Sequence, residues 1–498
     1  MNSMASAGWG LLAWLCCLVS SLPAQDSPPY RSKPKGHEQN RQQVSQTYLG
    51  NVKKYANDTN RLVLPGLVAD QRRQRIEMLV ERTGVGPDAP CEFTIISETS
   101  DHGYEALLIA FAKPSDVHRA LEFIGQAPGE PFDPGSLRFW AKGEPFVLSL
   151  AATNEPPRRI EELLLDRRTG QSLRNEGFLF TGSRRVPALT DPQKQVYAAD
   201  EYQPKSIVSL FNATDTVLQV PYLASKEMVY QNTIVNPAWA WPEGTLLTLV
   251  IESARNDGSK WAKDLVLQVA ASPSPDGKPW TGLERLTSLN LLLKDSEGVL
   301  NAKPTVLSVV ESLALLDRKK HAYYLTVRFE EDVQLGQAQA LAKILSSIDC
   351  EQGVRIEPPP AGQLYYKAFT PDEVLLDRQG RIFHPWELSV TEKDGQVLGH
   401  LLSVESVWKE GAAASELAIT DTPVSGPREL GKELEAEVDR VKRTNQRAKP
   451  PVIMVFAPAT LTYGRLKKFL DPALPTHPII HVYVDIPRPP IPQKKPQP

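Results

Sequence analysis

Cys91-Glu-Phe-Thr-Ile-Ile96, a polar stretch through Asp101-His102-Gly103, then Tyr104-Glu-Ala-Leu-Leu-Ile-Ala-Phe111 and Lys113-Pro-Ser-Asp-Val-His-Arg-Ala-Leu-Glu-Phe-Ile-Gly125 decide the fold class. The two apolar runs, rich in Ile and Phe and separated by turn residues, read as a pair of strands joined by a turn. Lys113-Pro114 stops the second strand, and Ser115 is placed to cap the amides that follow. Val117, Ala120, Leu121 and Ile124 then recur at helical spacing on one face, and Gly125 ends the helix. A strand pair leading into an amphipathic helix points to an α+β unit.

Working outward, the same alternation continues. Phe146 to Leu150, Glu162 to Asp166, Gly177 to Thr181, Ile207 to Phe211 and Thr216 to Val220 read as strands separated by turns such as Arg168-Thr-Gly170. Leu246 to Glu252 and Leu265 to Ala270 bracket Asn256-Asp-Gly258 and predict a hairpin with a long loop. Thr305 to Leu316 reads as helix, Tyr323 to Phe329 as strand and Leu335 to Ile348 as helix. Glu373 to Asp377, Arg381 to Phe383, Glu387 to Val390 and Gln396 to Val404 predict a meander turning at Arg378-Gln-Gly380 and Lys393-Asp-Gly395. Arg428 to Arg447 carries Leu430, Leu434, Val438 and Val441 on one stripe, with acids early and bases late, the order the helix dipole favours. Val452 to Phe456, Tyr463 to Leu470 and Ile479 to Val484 predict strand, helix and strand, both strands apolar enough to be covered on two faces.

The whole is a multi-domain α+β chain. Its expected divisions are a signal peptide at 1–24, a polar tether at 25–60, a strand-rich domain at 61–245 and a connecting hairpin and helix at 246–318. An α+β domain at 319–420, a connecting helix at 421–450, a strand-helix-strand unit at 451–486 and a proline-rich tail at 487–498 follow. A chain of 498 residues has room for roughly three compact units at about 150 residues each. With 41% hydrophobic and 23% charged residues it is ordinary globular material. The net charge of -3 lacks the basic footprint of a nucleic-acid binder.

The first 24 residues carry no charge, and the apolar run Trp9 to Ala24 ends in Ser-Leu-Pro-Ala before Gln25-Asp26, as in a signal peptide cut after Ala24. The alternative is an uncleaved short anchor, because no Lys or Arg precedes the run. No later stretch is long and apolar enough to span a bilayer, so an exported protein, periplasmic or extracellular, is expected. Asn57-Asp-Thr59 and Asn212-Ala-Thr214 fit the glycosylation sequon, relevant only in a eukaryotic host.

Lys113-Pro-Ser-Asp-Val-His118-Arg-Ala-Leu121, Gly125-Gln-Ala-Pro-Gly129, Asp166-Arg-Arg-Thr-Gly170 and Phe178-Leu-Phe-Thr-Gly-Ser183 give residues 91–241 a resemblance to the YdjY-type domain of bacterial envelopes. Phe178 and Phe180 stand where that family commonly has tryptophan, and Gly103-Tyr104 separates His102 from Glu105. The resemblance implies an envelope protein with no assigned biochemistry. The family's ferredoxin-like label implies redox chemistry, but with the signal removed only Cys91 and Cys350 remain, and a cluster needs about four ligands. No cofactor is expected. The C-terminal strand-helix-strand unit is weakly similar to the periplasmic part of ExbD/TolR-type proteins.

Cys91 and Cys350 either form one long-range disulfide or remain two buried thiols. His102, Glu105 and His118 are the candidate metal or acid-base residues, since a loop and a helix start can bring imidazole and carboxylate together. Equally, a histidine in the first turns of a helix can simply contact its neighbours or solvent. His384, His400, His477 and His481 lack metal-type spacing and read as structural or solvated. No Gly-x-Ser-x-Gly elbow, phosphate loop, dinucleotide fingerprint or His-Glu-x-x-His occurs. The expected function is therefore binding or scaffolding beside an envelope protein partner, with a metal-dependent hydrolase as the alternative.

Overall fold

The computed structural model describes residues 31–485 except 88, 134–137, 139, 153–155, 189–193, 240, 256–259, 273–282, 284, 295, 297, 347–353, 358–363, 366–385, 408–415, 445–451 and 478. It is a mixed α+β, multi-domain structure whose described residues build three large sheets and two small two-stranded ones.

The first sheet contains β1 (Arg61–Leu64), β2 (Leu67–Asp70), β3 (Arg75–Arg82), β4 (Phe93–Ser97), β5 (Ala106–Ala110), β6 (Glu144–Ala151), β7 (Phe178–Phe180), β8 (Ser206–Ser209), β9 (Thr216–Gln219) and β10 (Leu246–Ser253). Eight of these close into a barrel in the order β3-β10-β6-β7-β9-β8-β4-β5, with β5 returning to pair with β3. β4 and β5 run parallel, as do β8 and β9, and the other neighbours are antiparallel. The expected turn-linked pair is thus a parallel pair. The chain after β4 passes back through Gly103–Glu105 to start β5 alongside Phe93. Inside, Ile76, Met78, Leu249, Ile251, Phe146, Leu148, Phe178 and Phe180 form one buried core. Eight strands enclose a space that side chains alone can fill.

α2 (Pro114–Phe123) is preceded by α1 (His37–Lys54) and packs Val117, Ala120 and Leu121 into the barrel core. Pro114 opens α2, where its missing N–H costs nothing. The cap is not Ser115: the Asp200 carboxylate accepts the Ser115 N–H at 2.9 Å from a distant helical turn. At the other end Gln126 N–H reaches Leu121 O at 3.1 Å and Gly125 N–H reaches Glu122 O at 2.9 Å. Gly125, at φ 90°, supplies the left-handed residue this stop requires.

The second sheet, in the order β12-β11-β13-β14, contains β11 (Ala262–Ala271), β12 (Leu286–Leu293), β13 (Ala322–Phe329) and β14 (Val354–Ile356). α3 (Val306–Ala314) joins β12 to β13, and α4 (Leu335–Ser346) follows β13, as the helical spacing predicts. The outer edge of β12 is closed by Asn301, whose side chain accepts from Leu291 N–H and donates to Leu289 O, both at 2.8 Å.

The third sheet, in the order β15-β20-β19-β16-β17-β18, contains β15 (Leu364–Tyr365), β16 (Trp386–Lys393), β17 (Gln396–Val407), β18 (Glu416–Val424), β19 (Val452–Ala457) and β20 (Ile479–Val484). α5 (Pro427–Thr444) and α6 (Tyr463–Leu470) pack Leu430, Leu434, Leu466 and Phe469 against it. Val438, expected on the same stripe, is exposed. The β16–β17 hairpin turns at Asp394-Gly395, both at positive φ, as the sequence predicts.

The structure corrects several divisions. The tether at 25–60 contains α1, which covers its middle half. β10 and β11 do not form a hairpin: β10 closes the barrel between β3 and β6, while β11 pairs with β12 and β13. The 318/319 boundary cuts the second sheet between β12 and β13. The helix at 421–450 and the unit at 451–486 share one sheet with β16, β17 and β18. The strands expected at 373–377 and 381–383, the 1–24 signal, the 487–498 tail, His384 and Cys350 lie outside the described residues. Among the described residues, no helix is long and apolar enough to cross a membrane.

Leu121 is 0% exposed in the barrel core. Leu121→Ala is expected to cost about 2–5 kcal/mol in chemical denaturation. A loss under about 0.5 kcal/mol would contradict this packing.

Candidate functional site

The structure brings His102 and Glu105 together and places His118 elsewhere. His102 and Glu105 sit in the connection before β5, so a single tight turn holds His102 Nδ1 2.5 Å from Glu105 Oε1. His102 N–H donates to Ser100 Oγ at 3.1 Å, and the other ring nitrogen lies 3.3 Å from Asp101. The ring stacks on Tyr104 and meets Phe93 edge-on, at centroid separations of 5.7 and 6.3 Å. Beside it, Lys226 Nζ lies 3.0 Å from Glu92. Burial raises the Glu92 carboxyl above the usual range, and Lys226 opposes that shift. This is a partly exposed polar group in which both nitrogens of His102 face carboxylates.

His118 lies on α2, beyond the far end of β5, in an aromatic corner formed with Phe180 and Tyr197. Its Nδ1 is 2.9 Å from Tyr197 OH, and its Nε2 is 3.5 Å from Glu122 Oε1. Tyr197 OH also accepts the Ser183 N–H at 2.9 Å. Burial holds the Tyr197 phenol protonated and depresses the His118 imidazole, while Glu122 pulls the imidazole back up. Tyr197 therefore donates to Nδ1, and the neutral ring carries its proton on Nε2 toward Glu122. Gly182, at φ 67°, lies under the ring: a Cβ there would stand 2.9 Å from His118 Cε1. Ser183 Oγ accepts the Ala199 N–H at 3.1 Å, tying the same corner to the turn that caps α2.

Cys91 is a free, fully buried thiol, 3.3 Å from Phe93 O. Burial pushes it up to about 12, despite nearby Arg82, so the thiol stays protonated at neutral pH. Among the described residues no three His, Cys, Asp or Glu side chains form a group that could hold a metal. His477 is buried, with Nδ1 2.9 Å from Thr476 Oγ1 and its ring edge-on to Trp386. His481 is also buried, whereas His400 is exposed at 3.7 Å from Asp421. Sequence reasoning missed Tyr197 and Asp200, which lie 79 and 85 residues from their partners, where no local spacing points to them. Asn212 of the second sequon is 8% exposed, and its side chain accepts the Ala224 N–H at 2.8 Å, while Asn57 is exposed.

No protein-family model, curated protein or solved structure matches this chain.

The depressed His118 pKa has a stability consequence. The unfolded chain takes up this proton at a higher pH than the native state does, so the stabilisation is full above about 6.5 and is lost as pH falls toward the native value. His118→Asn, whose side-chain oxygen can still accept from Tyr197, is expected to flatten the stability loss between about pH 7 and about pH 5 in denaturant titrations. An unchanged profile would mean that His118 is not buried neutral.

Proposed function

We propose that this chain is an exported component of a bacterial cell envelope, periplasmic or extracellular, that works by binding or scaffolding rather than by catalysis. The reading takes residues 91–241 as a YdjY-type domain. The observation that carries it is the His118 corner. Lys113 to Leu121 and Phe178 to Ser183, separate blocks in the sequence, meet where Gly182 lies under His118 and Tyr197 links His118 to Ser183. The blocks behind the resemblance thus serve one packing arrangement, and His118 spends its ring nitrogens on Tyr197 and Glu122.

A second support is mechanical. Glu357, buried beside β14, accepts from Trp140 Nε1 at 2.7 Å and lies 3.2 Å from Arg138, both from the barrel domain. Arg355 Nη1 donates to Ala141 O at 3.0 Å and to Tyr324 OH at 2.8 Å, and its Nη2 donates to Pro221 O at 2.8 Å. Lys142 Nζ lies 2.6 Å from Asp264. The second and third sheets are joined by backbone bonds: Leu335 N–H to Leu461 O at 2.9 Å and Tyr463 N–H to Val333 O at 2.8 Å. A body tied at both junctions presents surfaces in fixed relation, as a scaffold requires. The partner is an envelope protein and not nucleic acid. The metal-dependent hydrolase remains the weaker reading, because His118 does not join His102 and Glu105.

Fractionation with terminal sequencing and cross-linking in intact cells tests this proposal. A mature N-terminus at Gln25 and a recurrent envelope-protein cross-link are the expected results. A cytoplasmic protein that retains Met1 contradicts export. One equivalent of zinc or iron in protein purified without chelators, lost in a folded His118→Ala variant, would favour the hydrolase instead.

A further inference from the structure

We infer that the exposed face of the short helix Lys226–Asn232 receives a β-ribbon from the envelope-protein partner, because the barrel repeats itself and only one of its two copies carries a ribbon of its own. The repeat lies in the strand pairing. In the first half Leu108 of β5 pairs with Arg82 of β3 and Ile95 of β4, and Ile109 pairs with Glu81 and Ile96. In the second half Leu218 of β9 pairs with Phe180 of β7 and Val208 of β8, and Gln219 pairs with Leu179 and Ser209. Where the halves meet, the pairing is its own image. Phe93 faces Ser209 and Ile96 faces Ser206, while Val147 faces Glu252 as Ala151 faces Thr248. β3, β4, β5 and β6 are thus matched by β7, β8, β9 and β10 about a pseudo-two-fold axis. The match extends beyond the strands. Thr83-Gly84 follows β3 and Thr181-Gly182 follows β7, and Thr83 N–H reaches Leu107 O at 3.3 Å as Thr181 N–H reaches Val217 O at 3.2 Å.

Each half leads from its third strand into a helix, α2 in the first and Lys226–Asn232 in the second. Val117 N–H reaches Lys113 O and Val229 N–H reaches Ser225 O, both at 3.1 Å, and both valines are buried in the barrel core. Lys113 therefore matches Ser225, and Ser115, Asp116 and His118 match Glu227, Met228 and Tyr230. The halves differ in what covers these positions. Between Gly182 and β8 the chain spends residues 183–205, in which Arg185–Pro187 pairs with Gln195–Tyr197 and runs into the helical turn Ala198–Glu201. This ribbon clasps α2: Tyr197 OH lies 2.9 Å from His118 Nδ1, and Asp200 accepts the Ser115 N–H at 2.9 Å. Between Gly84 and β4 only residues 85–92 intervene. Met228 and Tyr230 are accordingly 52% and 49% exposed, and Leu223, just before the helix, is 60% exposed, whereas the His118 side chain is 19% exposed.

The clasp on α2 defines the occupant of the bare face. An antiparallel ribbon already fits the matched helix, and an aromatic ring in the place of Tyr197 would pack on the Tyr230 ring and the Met228 sulfur. The charge requirement is reversed. Glu227, exposed, stands where Ser115 meets Asp200, so the incoming ribbon carries a lysine or arginine in the place of Asp200. That requirement excludes the same ribbon from a second copy of this chain, which brings Asp200 and is already spent on α2. Taking the ribbon from an envelope protein rests on the scaffold reading of this chain, to which it adds the surface and the chemistry of the contact.

Benzoylphenylalanine placed at Met228 or at Tyr230 of the full chain, activated in intact cells and mapped by peptide mass spectrometry, tests this. Both positions are expected to cross-link to one extended segment of one envelope protein, a segment that contains an aromatic and a basic residue. A synthetic peptide of that segment should bind the purified chain and lose about tenfold in affinity for Glu227→Lys, a change at an exposed site that leaves the core untouched. Cross-links to a second copy of this chain, to lipid or to scattered segments, no cross-link from either position, or a peptide indifferent to Glu227→Lys would overturn the inference. One such segment from a protein outside the envelope would support this surface and contradict the envelope reading instead.

Discussion

Everything in the N-terminal domain depends on one pairing, the antiparallel contact of β3 with β5 that joins Val80 to Ala110, Glu81 to Ile109 and Arg82 to Leu108. Without it the first sheet is an open ribbon with β5 as an exposed, wholly apolar edge, a template for aggregation. With it, β5 is enclosed between β4 and β3, and the inward residues of eight strands share one core. Closure also assigns the polar groups. Glu81 is left on the outer wall, where α1 covers it. His102 is held before β5 begins, and His118 is carried on α2 after β5 ends. The three residues the sequence groups as one metal or acid-base candidate are thereby divided by the strand between them.

What was legible in the sequence follows from the range of the forces involved. α2 was legible because Val117, Ala120, Leu121 and Ile124 record its buried face locally, and the β16–β17 hairpin because Asp394-Gly395 allows only a tight turn. The His102–Glu105 contact was legible because one turn spans it. Strand partners were not. Alternation in Leu246 to Glu252 and Leu265 to Ala270 marks two strands, but nothing local says that they belong to different sheets. α1 was missed for a different reason: only His37 and Val44 of its 18 residues are buried, so it shows almost no apolar stripe. Its place is set by hydrogen bonds and charge, which hydrophobic periodicity does not record. Tyr197 reaches His118 across 79 residues, a contact that exists only once the barrel has closed.

The junctions between domains carry the same lesson. Glu357 is 5% exposed and burial raises its carboxyl, with Arg138, Lys142 and Trp140 opposing that shift. A buried charge of this kind contributes little net stability when paired, but removing one partner strands the other, at a cost of about 3–5 kcal/mol. Its effect is to fix geometry. Trp140, Ala322 and Tyr324 form a small apolar cluster beside it, with Trp261 packed against them, so the charges are shielded and their register is set by shape.

The most direct measurement addresses closure itself. Phe111 N–H reaches Leu79 O at 3.3 Å, which makes the neighbouring Val80 and Ala110 a non-hydrogen-bonded pair. Such pairs hold their Cα atoms about 4.5 Å apart, within disulfide reach. The Val80→Cys/Ala110→Cys variant, oxidised under native conditions and mapped by peptide mass spectrometry, should form this bond intramolecularly in nearly every molecule and keep the far-ultraviolet spectrum of the parent. Two free thiols at these positions in a folded protein would contradict the closed barrel.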